Sequence, residues 1–209
     1  MIDQLKIDFE KILKKSNFSK NNINFKREQL NKFIENGFPN RKLENWKFLD
    51  IDQIIKKNIG ELSFYNDYSV TNKIDTSTLV NGLEHNKIIF INGRIEKIDF
   101  AYEDKSLIEI FDDVEVENKL NNKNALIYLN SALSNKYYKI LIKKNYILKK
   151  PLIIYHFTND KMKSKNINLR LDFKLEQNSS LKLIDFFNDT SNKNFLNILY
   201  NFDLDEDSS

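Results

Sequence analysis

Residues 168–176 read Asn-Leu-Arg-Leu-Asp-Phe-Lys-Leu-Glu, a strict alternation of apolar and polar side chains. A period of two residues is typical of a β-strand that buries one face in a core and turns the other toward water. The alternation recurs on both sides of this stretch, at residues 137–142, 181–184 and 196–204. Residues 137–209 are therefore predicted to form an all-β unit.

Upstream of residue 137 the apolar spacing lengthens to three and four residues, which is typical of amphipathic helices. Ile2, Leu5 and Phe9 begin the first such pattern. Further helices are predicted at residues 24–35, 51–55, 107–111 and 125–133. The N-terminal part of the chain is therefore predicted to be mainly helical.

One segment of this upstream region has the signature of a β-hairpin. Residues 87–91 and 94–98 are β-prone runs, and they are separated by Asn92-Gly93. Asn-Gly favours a two-residue type I′ turn, because both positions tolerate positive φ. We expect two antiparallel strands joined by this turn.

A hard corner is predicted between the second and third helices, where scarce residues cluster. Residues 37–48 hold the only Trp, one of two Pro and one of four Gly in the chain. Gly37 suits a helix end, and Pro39 prevents the helix from continuing. We expect Trp46 to be buried in the corner and Arg41 to pair with Glu44 or with a helix end. These five residues form a candidate structural or interaction motif.

The corner also resembles the N-terminal signature of SufD-type proteins, the non-ATPase scaffold subunits of SUF iron–sulfur cluster assembly. The resemblance lies in Gly37-Phe38-Pro39, in Arg41, and in Glu44-Asn45-Trp46-Lys47-Phe48. Later segments are similar to the family in the same order, at residues 89–94, 129–133, 149–152, 168–185 and 195–197.

The resemblance implies an α+β fold with a specific architecture. An N-terminal helical region and connector would occupy residues 1–84, and a hairpin and helical segment would occupy residues 85–136. Residues 137–209 would then form the first rungs of a right-handed parallel β-helix. The family's chains are about twice this long, so the sequence would correspond to their N-terminal portion.

The functional implication is a non-catalytic scaffold subunit that works with a SufB-like scaffold and a SufC-like ATPase. Composition agrees with a soluble globular protein, since 41% of residues are hydrophobic and 30% are charged. The net charge is only +3, and the sequence shows no signature of a nucleic-acid-binding module. No apolar run approaches the ~20 residues of a membrane span, and no leader pattern opens the chain. We therefore expect a cytoplasmic protein that binds neither nucleic acid nor membrane.

The chain has few residues that are suited to metal binding or covalent catalysis. Cys is absent, and His85 and His156 are the only histidines. They lie far apart in the sequence, so neither a metal site nor a cofactor site is expected within the chain. The sequence contains no Gly-x-Ser-x-Gly elbow and no Gly-rich phosphate loop. These observations favour a protein that is not an enzyme.

Two other interpretations stay open at this point. A β-solenoid carbohydrate-active enzyme would use a carboxylate pair, and candidate carboxylates lie at residues 112–113, at Asp172 and at residues 203–207. The protein would otherwise be a stand-alone interaction module that is unrelated to SUF assembly.

We predict that the isolated chain binds no stable iron–sulfur cluster, because such clusters are held mainly by Cys thiolates and the chain has none. Anaerobic reconstitution with iron and sulfide, followed by desalting and visible absorbance spectroscopy, measures this directly. A stoichiometric chromophore that survives desalting would contradict the prediction.

Overall fold

The computed structural model describes residues 1–64, 79–112, 124–134, 136–189 and 193–209. Its helices are α1 (Ile2–Lys15), α2 (Lys20–Asn36), α3 (Ile51–Asn58) and α4 (Ala125–Leu133). Its strands are β1 (Asn86–Ile91), β2 (Arg94–Asp99), β3 (Ile108–Asp112), β4 (Tyr137–Ile142), β5 (Leu152–Thr158), β6 (Asn166–Leu175), β7 (Leu183–Asp189) and β8 (Phe195–Leu204). Short 3₁₀ turns lie at Glu44–Trp46, Lys105–Leu107 and Asp160–Met162.

The strands form two four-stranded sheets, and each sheet is mixed. The first sheet has the order β2-β1-β5-β7, and the second has the order β3-β4-β6-β8. In each sheet the first strand of this order pairs antiparallel with its neighbour, and the other neighbours pair in parallel. From β4 onward the chain alternates between the two sheets.

The predicted right-handed parallel β-helix is wrong. Within the described ranges the strands form two separate mixed sheets beside four helices, with no closed or solenoid sheet. A period of two residues specifies which side chains of a strand are buried, but it does not specify which strands pair. The β-helix came from the family resemblance alone, and the antiparallel strands β2 and β3 have no place in such a coil.

The main hydrophobic core lies between the two sheets, and the alternating stretch supplies its centre. Leu169, Leu171, Phe173 and Leu175 of β6 are each no more than 1% exposed. They pack with inward side chains of β1, β4 and β5. Burying one such side chain stabilises the fold by about 1.5–3 kcal/mol. The predicted all-β character of this region is confirmed.

A second core joins the four helices and holds them against the second sheet. Phe9 of α1, Phe33 of α2 and Leu129 of α4 are almost fully buried in it. Asn130 of α4 donates from Nδ2 to the backbone oxygens of Leu169 (3.0 Å) and Asn197 (2.8 Å). These bonds satisfy the buried amide and fix α4 across β6 and β8.

Most local predictions are confirmed. The helices at the N-terminus, on both sides of the corner and at residues 125–133 are present. The hairpin turn has positive φ at Asn92 (52°) and Gly93 (82°). The connector predicted between residues 61 and 84 falls largely on residues 65–78, which lie outside the described ranges.

The helix predicted at residues 107–111 is wrong, because Ile108–Asp112 is strand β3. Five apolar-rich residues are too few to distinguish a helix from a strand by periodicity. Pairing with β4, in which Ile108 faces Ile142 and Ile110 faces Ile140, decides the outcome.

The two aromatic residues Phe9 and Trp46 test how strongly burial governs stability. Phe9 is 1% exposed, whereas Trp46 is only partly buried. We expect Phe9→Ala to lower the free energy of unfolding by about 3–5 kcal/mol, and Trp46→Ala by about 1 kcal/mol. Urea denaturation of both variants measures this, and equal losses would contradict the partly buried position of Trp46.

Candidate functional site

The predicted corner is present, and its glycine and proline have the expected structural roles. Gly37 closes α2 with φ of 68°, and its N–H donates to the oxygen of Phe33 at 2.7 Å. Pro39 is buried, and its carbonyl oxygen accepts from the N–H of Ile51 at 3.0 Å. The corner therefore ends α2 at Gly37, and the hydrogen bond from Ile51 ties the start of α3 back to Pro39.

The other three motif residues do not pack as predicted. Arg41 and Glu44 are exposed, and Trp46 is only partly buried at the end of a 3₁₀ turn. No hydrogen bond or ion pair joins the Arg41 side chain to another residue in the described ranges. The neighbouring Phe48 is 84% exposed. The corner therefore presents cationic and aromatic side chains to its surroundings instead of burying them.

A second candidate surface lies where the two sheets end, at β7 and β8. Within the described ranges, β7 pairs only with β5, and β8 pairs only with β6. Their outer backbone N–H and C=O groups therefore have no neighbouring strand there. Large apolar side chains are also exposed along both strands, namely Ile184 (42%), Phe187 (53%), Phe202 (48%) and Leu204 (51%). We call this surface the strand edge.

Three polar side chains meet between the sheets at the strand edge. His156 of β5 lies between the rings of Phe90 and Phe187, with centroids 5.4 and 4.9 Å away. Its Nε2 is 2.9 Å from the hydroxyl oxygen of Tyr200 on β8. The same hydroxyl donates a short hydrogen bond to Asp185 of β7. The cluster therefore ties the last strands of the two sheets together.

The hydrogen-bond pattern assigns the protons of this cluster. Because the Tyr200 hydroxyl donates to Asp185, it accepts from His156, so Nε2 of His156 carries a proton. Burial, together with the adjacent Asp185 carboxylate, raises the pKa of Tyr200 above its usual range. The phenol thus stays protonated and holds both sheets at neutral pH.

The alternating pattern of β5 and β8 contains a sequence signal for this cluster. His156 and Tyr200 occupy inward positions in otherwise apolar rows, after Leu152 and Ile154 in β5 and after Ile198 in β8. A polar side chain on an inward face requires a buried partner. The identity of that partner depends on which strands lie opposite each other, which the period does not specify.

The carboxylates of these clusters lie in ion pairs with basic side chains. Asp172 pairs with Arg170 at 2.7 Å, and Asp203 pairs with Lys174 at 3.1 Å. Asp112 pairs with Lys136 at 3.2 Å, while its neighbour in sequence at position 113 lies outside the described ranges. Nowhere in the described part of the chain do three His, Cys, Asp or Glu side chains converge as a metal site would require.

Lys26 of α2 is a charged side chain that is completely buried in the helical layer, with 0% exposure. Its ammonium group donates to the backbone oxygen of Ser134 at 2.6 Å and contacts that of Ser131 at 3.3 Å. It also lies 3.0 Å from the hydroxyl oxygen of Tyr137 on β4. Because the last carbonyls of a helix have no partner within it, the ammonium caps α4.

Burial alters the acid–base behaviour of Lys26. Removal from water, with a further contribution from the positive charge of Arg170, lowers its pKa from 10.5 to about 7. Arg170 is itself buried, and its Nη1 has no hydrogen-bond partner in the described part of the chain. The helical layer thus meets the second sheet across two cations that are largely withdrawn from water.

When the sequence is compared with protein-family models and with curated proteins, no match is found. The resemblance to SufD-type proteins therefore rests on the quoted motifs. Among the helices in the described ranges, none combines the length and the apolarity that crossing a membrane requires.

We expect stability to rise with pH above about 7 because of Lys26. The unfolded lysine keeps its proton up to about pH 10.5, whereas the folded one releases it near 7. Between these values the unfolded chain binds more protons, so raising the pH favours the folded state, by at most about 1.4 kcal/mol per pH unit.

Urea denaturation of the protein and of Lys26→Met, from about pH 7 to about pH 9.5, isolates this contribution. All other groups are shared, so the difference in free energy of unfolding between the two proteins should change with pH. A constant difference would mean that the carbonyl oxygens keep Lys26 charged throughout the range.

Proposed function

We propose that this protein is a non-catalytic scaffold subunit, and that it serves SUF-type iron–sulfur cluster assembly beside a SufB-like scaffold and a SufC-like ATPase. The observation that carries a scaffold role is the strand edge. Strand addition to an open sheet edge is a common mode of protein association, since the partner's backbone completes the missing hydrogen bonds.

The strand edge has the properties of a template for another chain. β7 has seven residues and β8 has ten, which is long for edge strands. Proteins commonly protect such edges with Lys, Pro or bulges. Neither strand contains Lys or Pro, and large apolar side chains are exposed on both. The strand edge therefore favours association with another chain.

The two open strands lie at the same end of their sheets. Tyr200 of β8 and Asp185 of β7 are hydrogen-bonded across the gap between the sheets, so both strands are held in a fixed relation. A partner that extends one sheet meets the other at the same time. Such a double contact offers more area and more specificity than a single edge does.

The link to SUF assembly rests on the sequence motifs at residues 37–48, 89–94, 129–133, 149–152, 168–185 and 195–197. The absence of Cys fits a frame that supports cluster chemistry on a partner, since this chain supplies no thiolate. The carbohydrate-active alternative loses support, because Asp172, Asp203 and Asp112 are each ion-paired with a basic side chain. A stand-alone interaction module would share the strand edge but not the SUF partners.

We expect the isolated chain to self-associate through the strand edge, and to form a heteromeric complex when a SufB-like subunit is added, with or without a SufC-like ATPase. Sedimentation velocity over a range of concentrations measures both events. The double variant Phe187→Lys and Phe202→Lys places charge on both open strands and should abolish both associations.

Ile147→Lys is the matched control, because Ile147 is 66% exposed but lies outside β7 and β8. It should leave both associations unchanged. Self-association without any complex with the SUF subunits would contradict the SUF assignment and favour the stand-alone module. A monomer at every concentration that also forms no complex would contradict the scaffold proposal as a whole.

A further inference from the structure

We infer that a groove between the helices binds an acidic amphipathic helix of another protein. This helical groove lies between the start of α1, the end of α2, the corner and the first turn of α3, and it encloses about 840 Å³. The inference does not depend on the SUF proposal or on the strand edge. Three observations support it: an apolar floor, a rim of unpaired positive charge, and exposed apolar side chains in the corner and on α3.

The floor of the helical groove is apolar and recessed. Leu5, Phe33, Phe38 and Phe64 line it, and each is at most 7% exposed. Phe33 and Phe38 pack edge to face, with ring centroids 5.1 Å apart. Since these side chains belong to the helical core, the floor is rigid and already formed. It suits apolar side chains that project into it from a partner.

The acidic side chains at the rim have partners within the protein, whereas two basic side chains do not. The Asp50 carboxylate accepts from the N–H of Gln53 and caps α3. Asp52 pairs with Lys56 at 2.6 Å. Arg41 and Lys42 line the same groove, and neither side chain has a hydrogen bond or ion pair in the described ranges. The rim charges without a partner are therefore the two positive ones, and they complement carboxylates on a ligand.

Apolar side chains outside the groove lining are also exposed in the corner and on α3. Leu43 (49%), Phe48 (84%), Leu49 (44%) and Ile54 (42%) are all exposed there. A small molecule confined to the groove would leave these side chains uncovered. An amphipathic helix has the required form, because residues at i, i+3, i+4 and i+7 provide an apolar row and the flanks carry charge.

Of the macromolecules that combine apolar and anionic character, a peptide fits better than an anionic membrane. A bilayer contacts protruding side chains, whereas Leu5 and Phe33 lie at the bottom of a groove and are only 1% and 3% exposed. A helix from a partner can insert side chains to that depth.

A displayed peptide library tests the inference on the full chain. Apolar residues are fixed at helical spacing over about 15 positions, and the remaining positions are randomised. We expect panning to enrich acidic peptides. Their affinity, measured by fluorescence anisotropy, should fall about tenfold or more for the double variant Arg41→Glu and Lys42→Glu.

The double variant Lys97→Glu and Lys144→Glu is the matched control. It makes the same change in net charge at exposed positions away from the groove, and it should bind the enriched peptides as the unmodified protein does. Equal loss in both variants would show only a general charge effect and would overturn the inference. Failure to enrich any peptide would overturn it as well.

Sedimentation with phosphatidylserine vesicles gives the competing outcome. Binding to these vesicles that the reversal at Arg41 and Lys42 abolishes, without enrichment of acidic peptides, would overturn the peptide assignment in favour of a membrane. Absence of vesicle binding together with enriched acidic peptides supports the inference.

Discussion

The ammonium group of Lys26 is the interaction on which the arrangement of the two layers depends. It starts on α2, caps the last carbonyls of α4 and reaches Tyr137 of β4. One buried side chain thus joins two helices and a sheet. Removing a charge from water is costly unless every proton finds an acceptor. The requirement for these acceptors therefore defines how α2, α4 and the second sheet can pack.

This packing leaves two surfaces for association. α4 covers the outer face of the second sheet near β6 and β8, so the helical layer shields one face of the sandwich but not the strand edge. The helical groove lies at the C-terminal end of α2. Phe38, in the groove floor, packs edge to face with Phe195 at the start of β8, with centroids 5.9 Å apart. One aromatic pair therefore joins the floor of the helical groove to the first residue of β8.

The corner between α2 and α3 illustrates the limits of reading function from scarce residues. Gly37 and Pro39 act as their backbone chemistry requires, because positive φ and a missing N–H are local properties. Trp46 and Arg41 do not, because burial and pairing depend on what the rest of the chain places nearby. The rarity of Trp46 suggested a buried side chain, yet Trp46 is only partly buried and its neighbours Phe48 and Leu49 are exposed.

The sequence by itself determined the secondary structure of most segments, the turn at Asn92-Gly93 and the buried face of β6, since each depends on period and local backbone preference. Only the tertiary structure decided that the strands form two mixed sheets instead of a parallel coil, and that residues 108–112 form a strand. Strand pairing requires contacts between segments that are distant in sequence, and the period of a single segment does not specify its partner. The cluster of His156, Tyr200 and Asp185 followed from the same pairing, because each residue comes from a different strand.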